Sequence, residues 1–136
     1  MFSVENHSGR LIETRTSSLA TLDEVSQFGA RFREVAQAND DRRVVICGDY
    51  RGMRILAPEV AEKFVAMLMV NNPRIERSAV LCAADHPTSG LQLERTVRQA
   101  GNPSRRTFRD PAELTAWLGE VLTMEERTRL AMFLAR

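Results

Sequence analysis

Asp49, Tyr50 and Arg51 follow one apolar run of the sequence, and Asp85 and His86 follow another. Carboxylates, a phenol, a guanidinium and an imidazole are side chains that can move or stabilise protons, so acid–base work is the chemistry to test first. For it to occur, the two segments must meet at the carboxyl edge of a sheet, where α/β proteins place their ligands. The sequence offers no nucleophile elbow, P-loop, GxGxxG or metal-ligand spacing beside them. A structural reading competes: Asp49 ties down a turn ending at Gly52, and Asp85-His86-Pro87 is a polar loop ahead of a helix cap at Ser89. Cys47 and Cys82 each sit inside an apolar run, with no CxxC or Cys/His cluster. They read as buried reduced thiols, and neither a metal nor another cofactor is implied.

These residues are positioned only if the runs before them are strands. Val44-Val45-Ile46-Cys47 and Ala79-Val80-Leu81-Cys82-Ala83 are apolar without alternation, which suits central strands covered on both faces. Between them Pro58 opens a helix, Glu59 meets the positive end of its macrodipole, and Asn71-Asn72-Pro73 closes it. Strand, helix and strand make a βαβ unit with parallel strands and a right-handed crossover. Upstream, Phe2 to Glu5 and Leu11 to Thr16 form a hairpin turned through Asn6-His7-Ser8-Gly9. Thr21 and Glu24 make a capping box for a helix carrying Leu22, Val25, Phe28, Phe32 and Val35, which ends near Ala38 to Asp41.

Downstream, Ser89 and Gln92 make a second box, Leu93 and Val97 form the buried stripe, and Gly101 and Pro103 stop the helix. Glu94 and Arg98 are spaced as an i,i+4 pair on its outside. Arg106 to Phe108 is a short last strand. Asp110-Pro111-Ala112-Glu113 then starts a helix with Leu114, Trp117, Leu118 and Val121, and Thr123 to Glu126 caps a terminal one with Leu130, Phe133 and Leu134. The order ββαβαβαβα plus a terminal helix predicts an α/β fold: a mixed, mostly parallel sheet of about five strands, covered by helices.

A chain of 136 residues lies within the size of one domain, taken here as 1–136, and its 43% hydrophobic and 27% charged residues fit a packed globular protein. Nineteen basic against 18 acidic side chains give a net charge of +1, too little to attract nucleic acid or an anionic membrane. All the basic residues except Lys63 are arginine, yet no Arg-rich tract results. Arg105, Arg106 and Arg109 form a local basic patch, but only Phe108 is interleaved as a stacking platform, so the patch reads as a solvated face. No stretch approaches the roughly 18 apolar residues of a membrane span. Met1 to His7 lacks the basic segment and apolar run of a secretory signal, and a cytoplasmic protein without membrane insertion is expected.

With this order of elements the chain resembles the STAS-like family, the fold of the anti-sigma-factor antagonists. The resemblance covers nearly the whole chain and is most specific from Val44 to Val60. There Val44-Val45-Ile46-Cys47-Gly48-Asp49-Tyr50-Arg51-Gly52 is similar to the family's strand leading into an Asp-x-x-Gly turn. Phosphorylatable members begin the next helix with Asp-Ser-Ser-Gly, and here Ala57, Pro58, Glu59 and Val60 stand in those places. The resemblance therefore implies a branch without the phosphorylatable serine. Glu59 supplies a fixed negative charge there, smaller than a phosphate's and with fewer acceptor oxygens, and it also suits the helix start and a pair with Lys63.

The same helix, Pro58 to Val70, carries more apolar residues than one stripe requires: Val60, Ala61, Phe64, Val65, Met67, Leu68, Met69 and Val70. Either the surplus meets a partner, or the terminal helix with Met124, Leu130, Met132 and Phe133 covers it. The sequence is accordingly read as a non-catalytic regulatory or scaffolding domain. It would bind another protein, or a second copy as a homodimer, through Glu59, Lys63, Phe64, Met67 and Val70, and no nucleic acid. Two other readings stay open. STAS-like sheets are similar in outline to the CRAL-TRIO lipid carriers, so Leu, Met and Phe could line a cavity for a small apolar ligand. The Asp49, Asp85 and His86 edge could be an enzyme site.

Overall fold

The computed structural model describes residues 1–40 and 42–135; the expected end of the first helix at Asp41 lies outside the described residues. Along the chain run β1 (Phe2–Ser8), β2 (Leu11–Thr16), α1 (Leu22–Gln37), β3 (Val44–Asp49), α2 (Pro58–Asn71), β4 (Ile75–Leu81), α3 (Pro87–Gln99), β5 (Arg105–Phe108), α4 (Pro111–Gly119) and α5 (Met124–Leu134). The predicted order is present, with one short 3-10 helix, Asn72–Arg74, added ahead of β4. The strands lie in the order β1-β2-β3-β4-β5, β1 antiparallel to β2 and each later pair parallel.

Each face of the sheet has its own apolar layer. Val44 and Ile46 of β3 pack with Phe28 and Phe32 of α1, Val60, Phe64 and Leu68 of α2, and Leu93 and Val97 of α3. Val45 and Cys47 pack on the other face with Leu114 and Leu118 of α4 and Leu130 and Phe133 of α5. All of β3 is therefore buried, which is why its sequence shows no polar alternation.

Several local expectations are corrected. β1 extends through Ser8, so the hairpin closes at Gly9, whose φ of 52° is left-handed and whose missing Cβ leaves room for the Glu126 carboxylate. The Asn6 amide holds the turn by donating to the Gly9 and Leu11 carbonyls at 3.0 and 2.8 Å. α3 begins at Pro87 with His86 as its N-cap, because proline at the first position starts a helix without needing a side-chain cap. Gln92 is thereby freed from a capping box: it accepts from Leu56 N at 2.7 Å and donates to Leu56 O at 2.8 Å, clamping the loop before α2. Glu94 pairs with Arg109 at 3.5 Å in place of Arg98, and no ion pair joins Glu59 to Lys63. The capping boxes fare unevenly. Thr123 and Glu126 close theirs completely, whereas Glu24 reaches past Thr21 to Ala20 N at 3.1 Å.

α5 is fastened to β2 by polar contacts as well as by its apolar stripe. Arg129 grips buried Glu13 with two hydrogen bonds of 2.6 and 2.9 Å. Glu126 accepts from Arg10 N at 2.7 Å, and Arg15 donates to Phe133 O at 2.9 Å while its guanidinium lies 4.3 Å from the Phe133 ring centroid. Burial pushes the Glu126 carboxyl up, but the N–H groups of Thr123 and Arg10 outweigh it and hold the group below its ordinary value.

Candidate functional site

At the carboxyl edge the five expected residues do not converge. Asp49 is buried at the end of β3, receiving Arg15 Nε at 3.1 Å, Arg51 Nε at 2.9 Å and Arg51 Nη2 at 3.0 Å. Burial would raise its pKa, but these hydrogen bonds and the Arg51 charge prevail and leave it below the ordinary carboxylate value. It is a fixed anion and a poor proton acceptor. Its role is architectural, since both arginines reach on to α5, Arg15 to Phe133 O and Arg51 to Leu134 O. The Asp49 carboxylate also receives Arg51 N at 3.2 Å, as expected of a residue that ties down this turn.

Tyr50 is corrected from edge to core. Its ring turns inward to 6.3 Å from that of Phe64, and burial pushes its phenol up to about 12, out of reach of proton transfer near neutrality. Asp85 and His86 point into solvent, 3.9 Å apart. Only Arg51 and His86 of the five reach the cleft of about 460 Å³ between the β3–α2 loop and the start of α3, where Arg54, Thr88 and Ser89 join them. Among the described residues there is also no cluster of His, Cys, Asp or Glu that could hold a metal ion.

Helix α2 divides its residues between core and surface. Phe64, expected at an interface, is 1% exposed and packs against Phe28 and Tyr50, because it falls on the Val60–Phe64–Leu68 stripe four residues apart that faces the sheet. Glu59 is exposed, Lys63 and Met67 are half-buried, and Val70 is 68% exposed. The terminal helix does not cover this surplus, since α5 lies on the opposite face of the sheet. Val70, Met67 and Lys63 instead line an open groove of about 230 Å³ with Val25, Gly29 and Arg33 of α1. A Cβ on Gly29 would come within 3.1 Å of Met67 Cγ, a contact that the flexible methionine would have to yield to slightly. Neither Arg33 nor Lys63 has an ion-pair partner among the described residues.

Beneath α1 and α2 lies a smaller space, about 30 Å³, walled by Phe28, Phe32, Phe64 and Leu68 and edged by Thr14, Tyr50, Ser78 and Arg105. Arg105, read from the sequence as one of three arginines in a local basic patch, is buried instead. Strand alternation disperses that patch. Arg105 turns in beneath α2, Arg106 stacks 5.1 Å from the Trp117 centroid on the other face, and Arg109 meets Glu94. The period-2 pattern of a strand beginning at Arg105 was the one signal available.

The thiols are buried and free, as expected, with Cys47 and Cys82 in the layers on opposite faces of the sheet. Burial raises both above the ordinary thiol value, Cys82 to about 11. Ellman's reagent should therefore leave the folded protein unlabelled for hours and titrate both thiols at once in denaturant. Rapid labelling of native protein would show that one layer opens locally.

No family model matches this sequence, and no curated protein matches it. Among solved structures, it is similar to an uncharacterized protein of the DUF3478 family with a SpoIIAA-like fold from Shewanella loihica PV-4, at 16% identity and a TM-score of 0.62, over 87% of this chain and 92% of that one. The fold is thus SpoIIAA-like, the STAS-like architecture that the order of elements led us to expect. Among the described residues no helix is long and apolar enough to cross a membrane.

Proposed function

We propose that this chain is a non-catalytic, cytoplasmic regulatory or scaffolding domain that receives an acidic, amphipathic segment of another protein in the groove between α1 and α2. The observation that carries this reading is the pairing of an apolar floor, Val25, Met67 and Val70, with two cations, Arg33 and Lys63, that have no ion-pair partner among the described residues. Charge complementarity of this kind selects partners and speeds their encounter. A homodimer across the same face is disfavoured, because a two-fold axis would set Arg33 and Lys63 against their own copies. The residues that suggested an enzyme have been put to other uses: Asp49 is neutralised by arginines and Tyr50 is in the core. A lipid carrier needs about 300 Å³ or more of pocket. The interior space here is about 30 Å³, which speaks against an apolar cargo.

A photo-crosslinker placed at Val70 tests the reading. The expected adduct is with a segment of a different protein that carries carboxylates beside apolar residues, and Lys63→Glu should weaken that segment's affinity about tenfold with Tm unchanged. Adducts solely with the chain itself, no adduct, or unchanged affinity in Lys63→Glu would each overturn it.

A further inference from the structure

We infer that the interior space beneath α1 and α2 is a binding site for a small planar oxyanion of the formate, nitrate or bicarbonate class. The anchor is Arg105, which is 8% exposed and has no carboxylate partner among the described residues. Its Nε donates to Asn72 Oδ1 at 2.9 Å, Nη2 to Leu68 O at 3.1 Å, and Nη1 to Ser78 Oγ at a long 3.5 Å. A guanidinium carries five N–H donors, so these three bonds leave two unused. Burial lowers its pKa only to about 10, so the positive charge persists at neutral pH.

The second, independent observation is Thr14. Its hydroxyl lines the same space, is fully buried and, among the described residues, has only the Tyr50 phenol as a hydrogen-bonding neighbour. Two hydroxyls bonded to each other use only one of their two protons, and a spare buried O–H beside an uncompensated cation marks a place where an acceptor belongs. A monoanion there would receive both the spare guanidinium N–H groups and the hydroxyl proton, and would cancel the buried charge.

Size fixes the class. A space of about 30 Å³ has the room of about two waters, which is that of a flat anion of about three or four heavy atoms. A tetrahedral sulfate or phosphate, and any lipid headgroup, is too large. The approach is also polar. Val97 and Arg105 line both this space and an outer cleft of about 390 Å³ between α3 and β5, where Arg98 stands with Glu94. Arg105 thus borders both the chamber and the outer cleft.

Thermal unfolding of the purified chain in sodium nitrate, sodium formate and sodium sulfate at matched ionic strength tests the assignment. At low millimolar concentrations, where sulfate's general stabilisation by exclusion is negligible, nitrate and formate should raise Tm saturably and sulfate should not, since a ligand that binds only the folded state stabilises it by mass action. Thr14→Val, which keeps the shape and deletes the hydroxyl, should weaken the nitrate affinity about tenfold. Arg105→Lys should abolish the shift, while Lys63→Glu on the outer groove should leave it intact and so separates this site from the protein-binding one. Equal shifts from sulfate, an unaltered nitrate response in Thr14→Val, or a crystal grown in formate that shows two waters at Arg105 would overturn it.

Discussion

Phe64→Asp is expected to leave the protein unfolded at 25 °C. Phe64 is among the largest fully buried side chains, at the junction of α1, α2 and the sheet, with the rings of Phe28 and Tyr50 at 6.2 and 6.3 Å. Truncating such a phenylalanine to alanine costs about 3–5 kcal/mol through lost transfer energy and the cavity left behind. Aspartate adds a charge that the Phe28 and Tyr50 rings cannot solvate. Small domains are stable by only about 5–15 kcal/mol in total, so the variant should lack near-ultraviolet circular dichroism and a cooperative thermal transition. A folded Phe64→Asp would place the side chain on the surface and return it to the interface. Val70→Asp is the matched control and should keep its Tm within a degree or two, because Val70 is exposed and surface changes rarely matter.

The second large effect is expected at Glu126. Its carboxylate accepts from Arg10 N at 2.7 Å and from Thr123 N at 2.8 Å, joining the turn at Gly9 to the first turn of α5. Glu126→Ala leaves both N–H groups without their acceptor in a partly buried corner, and at about 0.5–1.5 kcal/mol for each the variant should lose about 1–3 kcal/mol in urea unfolding. A Gln in the same place, which keeps an acceptor, should recover part of the loss. The pH dependence follows from the depressed carboxyls of Glu126 and Asp49. Unfolded, these groups titrate near 4.5 and 3.8, and folded they titrate lower. The unfolded state therefore binds more protons in that range, so their contribution is complete above pH 5 and fades as pH falls through the folded values. Urea midpoints measured from pH 6 down to pH 3 should drop for the wild type, and drop less for Glu126→Ala. A flat wild-type profile would mean that neither carboxylate is held as described.

The fold was legible because its signals are local. Val44 to Cys47 had to be a central strand and Pro58 had to open a helix, and both do. Thr123 and Glu126 had to form a box, and the box is complete. What escaped was whatever depends on two distant segments. Glu13 and Arg129 stand 116 residues apart, and a charged residue in a strand looks solvated until the helix that covers it is known. Gln92 has the spacing of a capping partner, yet its amide is spent on Leu56, which only packing of α3 against the β3–α2 loop could reveal. Periodicity found the apolar surplus of α2 but not its division, since Phe64, Met67 and Val70 follow one another at intervals of three residues and lie in the core, at its margin and outside. Arg105 escaped for the opposite reason, because a cluster of like residues suggested a shared surface where the strand sends neighbours to opposite faces.

The latch between α5 and β2 also dictates when the molecule can be finished. β2 leaves the ribosome more than a hundred residues before α5, as the 116-residue separations of the bonds from α5 to Arg10 and Glu13 show. At typical elongation of about 5–20 residues per second, Leu11 on the α5 side of the sheet waits roughly 5–25 seconds for its cover, and Val45 and Leu81 proportionately less. The opposite side can be roofed by α1, α2 and α3 as each emerges, so newly made chains should mature asymmetrically, one side dry while the other still binds chaperones.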